Sequence, residues 1–146
     1  MPDTPGDISE LVATDACWLP RRDRSPAMAR RLLRDLLGRV KGGERFREHG
    51  ELVLSELATN AVLHGTRSDQ LIWVGLRVDP DRLWIAVEDP SSAQPRLCPT
   101  ADGESGRGLY LVDRLSLSWG CGPREGIGKR VWALVGPEGT GSAGQA

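Results

Sequence analysis

From Val53 to Val62, apolar residues recur at a spacing that an α-helix gathers onto one side. At 100° per residue, Val53, Leu54, Leu57, Ala58, Ala61 and Val62 form one broad stripe. Leu52 and Leu63 fall on the other side, so the helix reads as apolar nearly all round and well buried. Three polar residues interrupt it. Glu56, Asn60 and His64 stand four residues apart, in a single line along the helix. A carboxylate, an amide and an imidazole on a buried helix are costly unless each finds a partner. Either they satisfy one another and nearby backbone, or they line a polar cavity that holds a ligand. Spacing alone leaves both open.

This helix is expected from about Glu44 to His64, with Gly65 as its stop. Before it, a strand through Ser9–Leu19 is stopped by Pro20. A first helix follows, with Ser25 as N-cap and Pro26 at N1, where a missing N–H costs nothing. Met28, Leu32, Leu33, Leu36 and Leu37 recur along it at helical spacing, and Gly38 or Gly42-Gly43 ends it. Arg21, Arg22, Arg24, Arg30, Arg31 and Arg34 lie on or near this helix; they read as a solvated face or as a docking surface for an acidic partner.

After the long helix come strand signals at Leu71–Val78 and Leu83–Val87, joined by the turn Asp79-Pro80-Asp81. Residues Asp89 to Gly108 are rich in Pro, Ser and Gly and read as a long loop. A short helix, Leu109–Leu115, and two strands, Ser116–Gly120 and Arg130–Val135, close the chain around the Gly-rich hairpin region Gly120–Gly128. The order β-α-α-β-β-loop-α-β-β predicts an α+β domain with a mixed, mostly antiparallel sheet and helices on one face. The domain is expected over residues 8–136, with flexible termini at 1–7 and 137–146.

Composition excludes several classes. With 19 Lys plus Arg against 20 Asp plus Glu, the net charge of -1 argues against direct nucleic-acid binding through a basic surface. No apolar run approaches the roughly 20 residues that cross a bilayer, and Met1-Pro2-Asp3-Thr4-Pro5 lacks the start of a signal peptide. Cytoplasmic location is the expectation. Cys17, Cys98 and Cys121 are far apart and form no C-x-x-C pair, so they read as free thiols. His49 and His64 are too few to make a metal site alone.

Two more segments carry chemistry. Gly103-Glu104-Ser105-Gly106-Arg107-Gly108-Leu109 places small residues just before a helix N-terminus, where backbone N–H groups and the helix dipole favour an anion such as phosphate. A flexible loop has the same composition. Asp89 follows the apolar strand Leu83–Val87, from whose rigid end a carboxylate can reach into a cleft; alone it reads as a turn residue. Three familiar motifs fail. Gly122 to Gly128 has the wrong spacing for a P-loop, Ser105 has its following glycine one position early for a nucleophile elbow, and no strand directly precedes the glycines as a dinucleotide fingerprint requires.

Three segments in this order resemble the histidine-kinase-like (GHKL) ATPases. Glu51-Leu52-Val53-Leu54-Ser55-Glu56-Leu57-Ala58-Thr59-Asn60-Ala61-Val62-Leu63-His64-Gly65 resembles their N box, and Val87-Glu88-Asp89-Pro90 through Pro95 their first glycine box. Gly106-Arg107-Gly108-Leu109 resembles the second, the hinge of the ATP lid. The chain is most similar to the short bacterial anti-sigma factor serine kinases of actinobacterial type, which also close with a strand like Gly128-Lys129-Arg130-Val131-Trp132. Ser91 stands where the first box usually has glycine, and Arg130 where a threonine is common.

The resemblance implies a two-layer α/β sandwich that binds ATP and Mg²⁺. Asn60 would ligate the metal, Glu56 would be the general base toward a protein serine, and His64 would support the site. Asp89 would accept a hydrogen bond from the adenine amino group, with Ser91, Pro95, Leu109 and Lys129 also at the nucleotide. Gly106, Arg107 and Gly108 would frame the phosphates, with Ser91–Ser105 as a lid. The implied partners are a sigma factor and an anti-sigma antagonist protein, met as a homodimer. The implied function is an ATP-dependent serine kinase acting on that antagonist and controlling transcription by partner switching. A nucleotide-gated binding module with the same pocket and little transfer is the alternative.

Overall fold

The computed structural model describes residues 12–64, 70–90, 106–123 and 128–138. Strand β1 (Ala13–Pro20) leads into helix α1 (Ser25–Leu37); a 3-10 turn (Gly43–Phe46) then opens helix α2 (Arg47–His64). Strands β2 (Leu71–Val78) and β3 (Leu83–Asp89), helix α3 (Gly106–Leu115), and strands β4 (Ser118–Pro123) and β5 (Lys129–Val135) follow. The strands form one sheet in the order β1-β2-β3-β5-β4, and every pair in it is antiparallel. This is an α+β fold. The expected strand residues Ser9 to Leu11 and the tail from residue 139 lie outside the described residues.

Alternation along the strands sorts the sheet into two faces. Leu83, Ile85 and Val87 of β3 pair with Val135, Ala133 and Val131 of β5, and all six join the core with Val53, Leu54, Leu57, Ala58 and Ala61 of α2. Burying each valine, leucine or isoleucine among them stabilises by about 1.5–3 kcal/mol. The helix is not buried all round, however. Leu52 and Leu63 are exposed, because α2 lies on the sheet with one side only and its back faces water. Trp73, Trp84 and Trp132 stand on the sheet's other face, which carries no helix of the described residues. A Cβ at Gly75 would fall within 2.2 Å of the Trp73 ring, and one at Gly120 within 2.8 Å of the Trp132 ring, so these indoles lie flat across bare backbone. Beneath them Ala86 is fully buried.

Several boundaries differ from expectation. Ser25 is the first helical residue and not a cap; buried, its hydroxyl donates to the Pro20 carbonyl, and Arg24 at the cap position makes no side-chain bond. Strand β3 runs two residues further than its apolar pattern, through Glu88 and Asp89, because β5 continues to pair with it there. Helix α3 starts three residues before Leu109, its helical turns taking in two glycines. Strand β4 is shifted to Ser118–Pro123 by its register with β5. Cys121 is disulfide-bonded and so is not the free thiol expected from its isolation in sequence. Cys17 is free, and burial, helped by the Asp15 carboxylate, pushes its thiol pKa up.

The arginines of α1 bind it to its neighbour. Arg34 grips the Glu51 carboxylate through Nε (2.8 Å) and Nη2 (3.1 Å), and Arg47 reaches the same group at 2.9 Å. The hydrogen bond from Arg34, with that from Arg47, holds Glu51 below the usual carboxylate range despite its partial burial. A folded-state value lowered from 4.5 contributes stability above that pH and loses it as acid protonates the folded carboxyl. Glu51→Gln is therefore expected to destabilise at pH 7 and to approach the parent's stability well below pH 4.5, measured by urea melts across that window. A constant deficit at all pH values would contradict the assignment.

Candidate functional site

The polar line on α2 opens the site. Glu56 and Asn60 are half-buried, one turn apart, and His64 is the last residue of the helix. Glu56 has no hydrogen-bond or ion-pair partner among the described residues. The side-chain nitrogen of Asn60 is buried and likewise lacks one. Glu56 and Asn60 thus do not satisfy one another, and a buried donor without an acceptor is a costly arrangement.

Beside this helix stands the end of β3. Asp89 is its final residue, 6% exposed, and Arg21 is its partner: Nη2 of Arg21 lies 2.8 Å from Oδ1 of Asp89. The other terminal nitrogen of Arg21 donates to the Ala61 carbonyl at 2.5 Å, one residue past Asn60. Sequence reasoning placed Arg21 among a group of surface arginines, and neither a solvated face nor a docking surface describes it. Its one visible signal was position, directly after the proline that ends a strand. Arg30 donates to the Ser55 hydroxyl at 2.9 Å, while Arg22, Arg24 and Arg31 are exposed.

Across the sheet, Lys129 of β5 pairs in register with Asp89 and is half-buried. Arg130 faces the other way. Its Nη2 lies 2.7 Å from Oε2 of Glu88, and its guanidinium sits over the Trp84 ring at 5.8 Å, on the face opposite Asp89. Gly128 closes the approach to Asp89. With φ at +115°, it lets β5 pass so near that a Cβ there would fall 2.0 Å from the Asp89 carbonyl oxygen.

At the third segment, Gly106, Arg107 and Gly108 form the first turn of α3, and Leu109 is fully buried. The structure thus keeps a helix N-terminus at the expected glycines. Ser91 and Pro95, with the rest of the proposed lid through Ser105, lie outside the described residues. Among the described residues no three His, Cys, Asp or Glu side chains cluster to hold a metal on protein ligands alone.

Residues 19–132 match the family described as the histidine kinase-like ATPase domain. The chain belongs to that family. Membership in the histidine kinase-like ATPases implies ATP binding, and the N box, the first glycine box and the closing strand all fall inside the matched span. Among solved structures the chain is similar to the histidine kinase domain of a blue-light activated histidine kinase from Erythrobacter litoralis EL346. Identity is 24%, the TM-score is 0.47, and the match covers 64% of this chain and 45% of that one, less than half its length. No curated protein matches the chain. No helix among the described residues is long and apolar enough to cross a membrane.

Proposed function

We propose that this histidine kinase-like ATPase domain binds Mg-ATP against α2 and transfers the γ-phosphoryl group to a protein serine, as the anti-sigma factor serine kinases it resembles do. The observation that carries the reading is the buried, unpartnered amide nitrogen of Asn60, one turn from Glu56, which has no partner among the described residues. An amide left without an acceptor suits a ligand rich in acceptor oxygens, such as a triphosphate.

The residues divide the chemistry among them. Asn60 offers an amide oxygen, the hard neutral donor that Mg²⁺ accepts alongside phosphate and water. The ion, when bound, neutralises charge on the phosphates. Glu56 is the base: as the serine oxygen bonds to the γ-phosphorus, the bond from that phosphorus to the ADP oxygen breaks, and the serine proton passes to the Glu56 carboxylate. Asp89 accepts from the base amino group, Lys129 lies across from it, and the first turn of α3 turns N–H groups toward the phosphates. His64 supports the site, and Leu109 anchors α3 by burial. Arg130, bound to Glu88 on the far face, takes no part.

The output we propose is partner switching: a cytoplasmic homodimer that holds a sigma factor and phosphorylates its antagonist, controlling transcription without touching nucleic acid itself. The resemblance to the short anti-sigma factor serine kinases, with their closing strand at Gly128-Lys129-Arg130-Val131-Trp132, supports this. Thermal melts with Mg-ATP test the pocket. At 100 times the dissociation constant a single site adds about 2.7 kcal/mol, roughly an 8 °C rise for a domain of this size. Asn60→Ala is expected to lose most of that shift; equal shifts in both proteins would remove Asn60 from the metal.

A further inference from the structure

The buried ion pair of Arg21 and Asp89 spans three elements, and no part of the proposed chemistry yet uses its cation. Arg21 leaves β1 in a turn that is itself pinned: the Arg22 N–H and the Ser25 hydroxyl both donate to the Pro20 carbonyl. The side chains of Arg21 and Asp89 are 3% and 8% exposed. Guanidinium is a planar fork of five donors with little freedom once two are engaged. Here one nitrogen is fixed on Asp89 at the end of β3 and the other on the Ala61 carbonyl in the last turn of α2, where the helix dipole favours a cation. The Asp89 carboxylate is thereby tied through Oδ1 to the helix that carries Asn60.

We infer that Arg21 is a positioning residue that sets the base selectivity of this site. By fixing the orientation of Asp89, it aims a carboxylate that only accepts hydrogen bonds at the base edge, so that a purine bearing an amino group there is preferred to one without. The inference rests on the nucleotide reading above. An ionised carboxylate accepts at about four lone-pair sites, so the bond from Arg21 to Oδ1 does not by itself exhaust its capacity to accept. A site built around such an acceptor discriminates by orientation; a carboxylate free to rotate follows its nearest donor and loses the preference. Lysine does not replace this, because one ammonium on a flexible stem does not hold two acceptors in a fixed plane.

The test compares Mg-ATP with the Mg complex of purine riboside triphosphate, which lacks only the amino group, by calorimetric titration of the parent, Arg21→Met and Arg21→Lys. The parent is expected to prefer ATP by about 10-fold or more. In Arg21→Met that preference falls toward parity, through weaker ATP binding with the analogue little changed, and Arg21→Lys lies between. If both variants weaken the two nucleotides by the same factor, or keep the parent's preference, Arg21 is a structural staple and the inference is overturned. If Arg21→Met does not fold, Arg21→Lys decides alone, a reduced preference supporting and an unchanged one overturning. A parent that binds both without preference overturns the inference and spares the nucleotide site. A parent that binds neither overturns both.

Discussion

Glu56→Gln is expected to lower phosphoryl transfer by about 10²–10⁴-fold, the usual contribution of a positioned general base, while leaving Mg-ATP binding as in the parent. The substitution keeps the side chain's size and polarity and removes its basicity. Because Glu56 engages no described residue, no ion pair is broken, and the half-buried position on α2 holds an amide as readily as a carboxylate. Transfer of labelled phosphate from ATP to a candidate antagonist measures the loss, and a thermal melt with Mg-ATP measures the binding. The two readouts separate the two functions weighed from the sequence. Transfer in the parent that vanishes in Glu56→Gln identifies a kinase. Nucleotide stabilisation with no transfer in either protein identifies a nucleotide-gated module. Transfer within about threefold of the parent would mean that Glu56 is not the base, and with phosphoryl transfer dominated by positioning and charge the proton would then leave through solvent.

How far the fold was legible depends on the range over which each residue's reason acts. The stripe of Val53, Leu54, Leu57 and Ala58 and the alternation in Leu71–Val78 are local patterns, and both elements form where those patterns lie. The extension of β3 through Glu88 and Asp89 is not local: it exists because Arg130 and Lys129 pair across from them. Leu52 and Leu63 look like core residues to any periodicity argument, and only the single-sided seat of α2 leaves them in water. The site divides in the same way. Glu56 and Asn60 were visible because their spacing matches the helix that bears them. Arg21 was not, since its meaning comes from Asp89, sixty-eight positions away, and from a helix carbonyl, for which a side-chain pattern has no signal. The disulfide at Cys121 escaped for the same reason. Of the five tryptophans only Trp132 entered the sequence reading, in the closing strand, yet Trp18, Trp73, Trp84 and Trp132 all stand on the sheet face opposite the helices.

Gly128 brings these two ranges together in one position and gives the largest expected loss of stability. Its φ of +115° is a conformation that side chains rarely adopt, and a Cβ would meet the Asp89 carbonyl oxygen at 2.0 Å and the Pro90 Cα at 2.7 Å. Both obstacles are backbone, so neither rotates away. Overpacking of this kind costs about 1–3 kcal/mol, and forcing a residue with a Cβ into that region adds about 1–3 kcal/mol. Gly128→Ala is thus expected to destabilise by about 2–6 kcal/mol in urea titrations, a large share of the roughly 5–15 kcal/mol that holds a domain together. Any relief must come from moving Asp89 and Pro90 away from β5, which turns the carboxylate out of its pairing with Arg21. Mg-ATP binding should therefore fall along with stability, even at temperatures where the variant remains folded. Gly122→Ala is the control, since a Cβ there meets nothing within 4 Å, and it should cost less than about 0.5 kcal/mol. Equal effects at the two glycines would show that β5 does not press on the backbone of Asp89, and the site would then lose the contact that fixes its base-reading edge.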